Sequence, residues 1–375
     1  VRVEPPAAAP VERLITGTAA RLGHAPPAEW ARALRAVPRH LFLPDRVWLR
    51  DGEGAYARCD RANEPVRWWD AAYGDEPVVT RLSDDVPESS ASAPSTVVRM
   101  LEAAEPTDSM RALEIGTGTG FNTGLLCHRL GDEHVATVEL DPGLADQARA
   151  NLKRAGYTPH VVCGDGALGW SDGAPYDLLI AGCSVRSLPP AWLEQVRSGG
   201  RIVAPWSSAW CPFGTLIATR NEDGTATGRF APFGSYMEMR TRGQRADVEL
   251  MRDVLRPGQR PEVSTTRVSP WAVAGHDLAA QFAIGLAVPD VWHSWDTETE
   301  EAAVRLWLAA DDATSWAAVD HDGRQFRVAQ FGPRRLWDEV ATAWQRWDTQ
   351  ARPAVDRFGL TATPDGSSFW LDSPG

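Results

Sequence analysis

The sequence predicts a doubly wound α/β domain preceded by helices and followed by an α+β extension, and three observations carry that prediction. From about residue 110, short apolar runs alternate strictly with helical patterns, which implies a parallel sheet covered on both faces. The first of these runs opens directly into a glycine-rich turn, "RALEIGTGTGFNTGLL" at 111–126. After residue 240 the pattern changes to tryptophan-rich strand-turn-strand segments. The expected organisation is a helical preface with a loop at 1–105, the doubly wound core at 106–239 and a Trp-rich extension at 240–375.

Taken in order, "VERLITGTAARLG" and "PPAEWARALRAVP" place apolar residues at helical spacing between Gly and Pro breaks, so two helices are expected. Residues 51–105 read as loop-rich, with a polar run "SSASAPS" that composition alone would make a flexible linker, before the apolar helix "TVVRMLEAAEP". The core then reads strand "RALEI", helix "FNTGLLCHRLG", strand "HVATVEL", helix "PGLADQARANLKRAG", strand "HVVCG", strand "YDLLIAG", helix "PPAWLEQVRSG" and strand "RIVAPW". In the extension, "AVRLWLAADDATSWAAVDHDGRQFRVAQFG" is a strand-turn-strand pattern. "RRLWDEVATAWQRW" is a helix with Leu336, Val340, Trp344 and Trp347 on one face, and "FGLTATPDGSSFWLDS" is a closing hairpin. Nine of the 17 tryptophans lie after residue 260. A core stripe explains most of them, and a peptide-binding surface would use the remainder.

Composition narrows the function. At 375 residues and 43% hydrophobic, the chain has enough apolar material for a full core. No apolar run approaches the ~20 residues of a membrane-spanning helix, and the opening lacks the order of a signal peptide. A cytoplasmic location without a membrane partner is therefore expected. The five cysteines (Cys59, Cys127, Cys163, Cys183, Cys211) form no C-x-x-C pair, so neither a disulfide framework nor a metal site is expected. A net charge of −12 gives no attraction to phosphate backbones, so nucleic acid is not an expected partner.

The glycine turn points to a ligand. Gly116, Gly118 and Gly120 each remove a Cβ that would hold a ligand away from the backbone. A dinucleotide site would call for G-x-G-x-x-G, yet Phe121 stands where its third glycine belongs. Glu114, two residues before Gly116, would repel a pyrophosphate and attract a cationic amino acid. Glu139 closes the second strand, where it can accept hydrogen bonds from ribose hydroxyls, and Asp165 follows the third, placed to meet an adenine edge. Singly, a glycine-rich turn or a strand-terminal acid is a weak signal. Together they point to S-adenosylmethionine, which carries an ammonium and a sulfonium but no phosphate. Thr117, Asn122, Thr123, Leu140 and Gly166, beside these residues, complete the candidate cofactor set.

From this turn through "GDG" at 164–166 to "PAWLEQVRSGGRIVAP" at 190–205, the chain resembles protein-L-isoaspartate O-methyltransferases over about residues 85–206. The resemblance implies a Rossmann-like, class I S-adenosylmethionine-dependent methyltransferase fold. Members of that family carry an active-site serine in a loop reading T-I-S-A-P-H. Here Ser92-Ala93-Pro94 stands in register, so Ser92 inherits the catalytic role by resemblance, with Ser89 and Ser90 as neighbours. Ser95 replaces the family's histidine, and Cys183 and Ser184 join it as candidate substrate-side residues. A carboxylate of pKa near ~4 is ionised at neutral pH and needs no general base to attack a sulfonium methyl, so the expected work of the site is alignment.

The core combined with the tail "GPRRLWDEV…RFGLTATPDGSSFWLDSP" also resembles actinobacterial methyltransferases associated with ribosomally made graspetides and lanthipeptides. That resemblance implies a modified precursor peptide as partner and methylation of a normal L-aspartate. The neighbouring amide then attacks the ester, expels methanol and closes an aspartimide (succinimide), which water opens to aspartate or isoaspartate. The alternative expectation is repair of isoaspartyl-containing proteins.

Overall fold

The computed structural model describes residues 8–52, 54–83, 85–241, 250–297, 302, 304–321 and 325–374. Helices α1 (Ala8–Leu22) and α2 (Ala28–Ala36) stand where the periodicity puts them. Burial of Leu14, Trp30 and Leu34 drives them against the core.

Residues 46–91 are not the loop that their composition suggests. They form a four-stranded antiparallel sheet from β1 (Arg46–Arg50), β2 (Tyr56–Asp60), β3 (Val78–Ser83) and β4 (Val86–Ala91), in the order β2-β1-β3-β4, with α3 (Pro65–Ala72) inserted before β3. Most residues of this sheet are half-buried or exposed, so it lacks the clean period-2 alternation that announces a strand. The polar run 89–91 is ordered by pairing with β3, in the register Val78↔Ala91, Val79↔Ser90 and Arg81↔Ser89. The next helix, α4 (Pro94–Ala104), starts on a proline at its first position, where a missing N–H is harmless.

The core follows the predicted alternation: β5 (Ala112–Ile115), α5 (Phe121–Leu130), β6 (Val135–Glu139), α6 (Pro142–Ala155), β7 (His160–Cys163), β8 (Tyr176–Ala181), α7 (Pro190–Gln195) and β9 (Val196–Pro205). β7, β6, β5, β8 and β9 lie side by side and parallel. β5 and β6 are buried at every position, as strands covered on both faces must be. β10 (Thr215–Arg220) and β11 (Ala226–Ala231) continue the sheet antiparallel.

The extension has two parts. β12 (Glu262–Thr266), α8 (Pro270–Ala274), α9 (Leu278–Ala287), β13 (Val291–Asp296), β14 (Val304–Ala310), β15 (Trp316–His321), β16 (Phe326–Phe331) and α10 (Leu336–Thr349) build a five-stranded antiparallel sheet, order β12-β16-β15-β14-β13, with its own helices. Leu336, Val340 and Trp347 of α10 are buried as the periodicity requires, and Trp344 is partly buried beside them. The closing hairpin, β17 (Phe358–Thr363) and β18 (Gly366–Leu371), instead pairs with β11 and completes a nine-stranded sheet, β18-β17-β11-β10-β9-β8-β5-β6-β7.

The boundary near residue 240 is therefore no boundary in the packing. Phe282 of α9, Val355, Leu360 and Ala362 share one apolar cluster with Leu179, Ile202 and Phe230 of the core, and Phe282 meets Phe230 edge-on at 5.0 Å. A chain ended at residue 240 would bare this apolar surface and the unpaired edge of β11, both aggregation hazards. It is expected to aggregate or to lose its cooperative thermal transition in calorimetry; a soluble fragment with a sharp melt would contradict this.

Candidate active site

The carboxyl ends of β5, β6 and β8 open into a cavity of about 910 Å³, the position expected of a ligand site in a doubly wound sheet. Its floor is the turn after β5. Gly116 and Gly118 have φ of +84° and +53°, the left-handed region that glycine enters without strain. A side chain at Gly116 would reach 3.5 Å from Cys183 Sγ, and one at Gly118 would point to within 3.9 Å of Ser90 O. The turn, the β8 terminus and the serine-bearing strand thus converge on one space.

Glu114 is 1% exposed. Its carboxylate accepts hydrogen bonds from Asn122 Nδ2 (2.7 Å), Thr137 Oγ1 (2.8 Å) and Thr123 Oγ1. Burial raises its pKa from the ordinary carboxylate range, the three donors pull it back, and the charge of Glu139 adds a further upward push. An arriving cation would offset the same desolvation. Beside it, Asn122 Oδ1 is buried without a hydrogen-bond partner, an acceptor that an ammonium would satisfy. Glu139 is held by backbone N–H groups, Oε2 accepting from Gly118 (2.9 Å) and Oε1 from Asp141 (3.1 Å).

Across the cavity, Ser89, Ser90 and Ser92 all line the wall. Ser89 Oγ accepts from Thr80 Oγ1 at 3.1 Å. The loop carrying Ser92 is clamped from two sides. Arg39, fully buried, donates from Nη2 to Ala91 O (3.2 Å), Ser92 O (3.0 Å) and Glu76 O (3.0 Å). Its Nη1 donates to Gly74 O (2.9 Å) and, at 3.4 Å each, to Ala71 O and Ala72 O. Burial lowers the Arg39 pKa to about 10, which leaves it charged at neutral pH. Asp75 Oδ1 accepts from the Ser95 N–H at 2.7 Å and so ties down the first turn of α4.

The remaining predicted residues divide. Thr117, Leu140, Gly166 and Cys183 line the cavity with the acids. Burial, with the charges of Glu139 and Glu114, pushes the Cys183 thiol up to about 12, so it stays protonated and is no nucleophile. Gly120, Thr123, Asp165, Ser95 and Ser184 lie behind the lining. Gly120, at the start of α5, packs on Leu152, and Thr123 acts through Glu114. The Asp165 carboxylate caps the turn at Gly166 by accepting from Ala167 N at 3.0 Å. Ser95 is buried on α4, and Ser184 donates from Oγ to Tyr236 O at 3.1 Å. Sequence reasoning missed Arg39, Asp75 and the wall segment 236–241. The one available signal was "VPRHLFLP" at 37–44, a charged residue inside an apolar, proline-bracketed run.

Comparison with known proteins decides the family. Residues 55–223 match the model of the family described as Protein-L-isoaspartate(D-aspartate) O-methyltransferase. A protein-L-isoaspartate O-methyltransferase of Ignicoccus hospitalis is 35% identical over 179 residues, 47% of this chain and 72% of that protein. One from Anaeromyxobacter dehalogenans is 37% identical over 188 residues, 49% of this chain and 85% of that protein. The chain belongs to the protein-L-isoaspartate O-methyltransferase family. A solved structure of a protein-L-isoaspartate O-methyltransferase shares the fold at TM-score 0.56 and 18% identity, covering 97% of this chain and 100% of that one.

The chain is an S-adenosylmethionine-dependent methyltransferase of that family, and the cavity fits the donor. The unpartnered Asn122 Oδ1 and buried Glu114 would suit its ammonium, Glu139 would accept from its ribose hydroxyls, and the glycine turn leaves room for a ligand against the backbone. Glu139→Ala is expected to weaken S-adenosylmethionine binding by about 1.5–3 kcal/mol, the range for hydrogen bonds to a charged group. Titration calorimetry showing undiminished affinity would remove Glu139 from the donor site.

Proposed function

We propose that the methyl acceptor is an aspartyl-derived carboxylate presented by a peptide. The observation that supports this reading is that Ser92 and the acidic, glycine-lined pocket share one cavity. S-adenosylmethionine, when bound, supplies a methyl group activated on a sulfonium. The acceptor is ionised at neutral pH, so the chain needs no base. Ser92 Oγ donates to one carboxylate oxygen and leaves the other to face the methyl. Arg39 and Asp75 hold the loop in that pose, and such positioning contributes several kcal/mol, on the order of 7–11 at its limit. Ser92→Ala should therefore lower turnover while leaving donor affinity within about twofold; a fully active variant would exclude Ser92 from the reaction.

Two acceptors fit this chemistry. The free carboxylate of an isoaspartyl residue in a damaged protein or peptide has the wider support. Relatives spanning the core carry that name, and a solved structure so named extends over the C-terminal region as well. The side-chain carboxylate of a normal L-aspartate, in a macrocyclised ribosomal precursor peptide of the graspetide or lanthipeptide kind, is favoured by Ser95 in place of the family's histidine and by the closing motif "RFGLTATPDGSSFWLDSP". A ring presents its aspartate at low ordering cost. Methylation would then lead, through attack of the next amide and loss of methanol, to aspartimide.

Mass spectrometry with time distinguishes the two. A generic linear isoaspartyl peptide that gains one methyl group faster than a cyclised L-aspartyl peptide establishes the isoaspartyl acceptor. The opposite order, with methanol then lost from the cyclic peptide, establishes the precursor-peptide acceptor. Methylation of neither would overturn the proposal.

A further inference from the structure

The segment Tyr236–Thr241 forms the cavity wall on the side of β8, and nothing in the family-matched region 55–223 includes it. Its backbone is laced to the residue after Cys183. Ser184 N–H donates to Met237 O (2.9 Å), Met239 N–H donates to Ser184 O (2.8 Å), and Ser184 Oγ reaches Tyr236 O. At its far end Arg240 Nη2 donates to Glu88 O at 3.3 Å, so the wall spans from β8 to the serine-bearing strand β4. Met237 is 41% exposed within it, an apolar surface at the mouth where a peptide must pass.

One side chain connects this wall to the C-terminal region. Arg186 makes ion pairs with Glu238 through Nε (2.9 Å) and with Asp311 through Nη1 (2.7 Å), and Nη2 donates to the second Glu238 oxygen at 3.0 Å. Asp311 opens the β14–β15 turn, which is itself fixed. Asp311 N–H donates to Asp290 O (2.9 Å), Asp312 Oδ1 accepts from Thr314 N–H (2.9 Å), and Asp290 pairs with Arg334. The two-oxygen contact with Glu238 is geometrically demanding, as guanidinium forks are. A shift of the turn therefore moves the wall.

We propose that Asp311, acting through Arg186 and Glu238, is a positioning residue by which the C-terminal region sets the substrate wall at 236–241. The role rests on the peptide-acceptor reading, since the wall reaches the serine-bearing strand through Arg240. The Asp311 side chain is 38% exposed, and Arg186 keeps its Glu238 pair when the Asp311 charge is removed.

The experiment compares Asp311→Asn, Asp311→Glu and the parent, full length, with a linear isoaspartyl hexapeptide as acceptor. Asp311→Asn is expected to raise the peptide KM about threefold to fivefold, the equivalent of one partly exposed ion pair, with kcat and S-adenosylmethionine affinity unchanged. Asp311→Glu should restore most of the loss. Arg186→Gln should raise KM as well, and Asp311→Asn should add nothing to it. Hydrogen exchange at the Met239 amide, read without any acceptor, should quicken in Asp311→Asn. An unchanged KM and unchanged exchange would overturn the inference, as would an additive double variant. If the parent methylates no isoaspartyl peptide, that acceptor is excluded, and the exchange measurement alone decides whether the strut exists.

Discussion

The guanidinium of Arg39 is the contact on which the site depends. It is buried, and its two terminal nitrogens reach six carbonyl oxygens drawn from two stretches of chain, 71–76 and 91–92. These carbonyls come from the end of α3, the turn after it, the end of β4 and the serine loop, and one buried guanidinium ties these four pieces of backbone together. Lysine could not replace it, because one ammonium has three donors at a point and no planar fork. The same contact decides where Ser92 sits. A serine on a loop is a poor alignment group unless the loop's backbone is fixed, and here its carbonyl is held by Arg39 while Asp75 holds the amide three residues on.

Charge divides the cavity that results. Among the described residues, Glu114 and Glu139 at the glycine turn accept hydrogen bonds from neutral groups, whereas Glu88 and Glu238 are answered by Arg81 and Arg186. A cation gains at the first end, and a second anion placed there would be repelled. An acceptor carboxylate, as proposed, would meet less repulsion at the neutralised end, where the serines are. One cavity can thus take a positively charged donor and a negatively charged acceptor without confusing their places, and it needs no titrating group to do so.

The legibility of these features in the sequence follows from how local their causes are. The parallel core was readable because its central strands β5 and β6 are buried on both faces and each helix is bounded by Gly, Pro or an N-cap such as Asp141, which accepts from Leu144 N–H. The glycine turn at the cavity floor was readable because positive-φ glycines at a strand end express a requirement of the adjacent backbone. The four-stranded sheet was not. β4, "VPESSA", has little strand propensity and exists because β3 pairs with it, a non-local cause. Arg39 escaped for the same reason, since its partners lie 32 to 53 residues away. Asp165, read as facing the ligand, also caps its own turn through Oδ1, a local role that short acidic side chains have near a strand end.

The extension was expected as a separate recognition unit, and its topology argues for something more integrated. Had the chain merely appended a peptide-binding module, the nine-stranded sheet would end at β11 and the new core would close on itself. Instead the last hairpin returns to pair with β11, and α9 inserts Phe282 beside Phe230. Trp210 and Cys211, from the loop between β9 and β10, are buried in the extension's own core. Chain from both sides of residue 240 therefore contributes to both cores, so neither can shift without disturbing the other. The wall at 236–241 lies at the passage between them, with one end against β8 and the other leading into the extension.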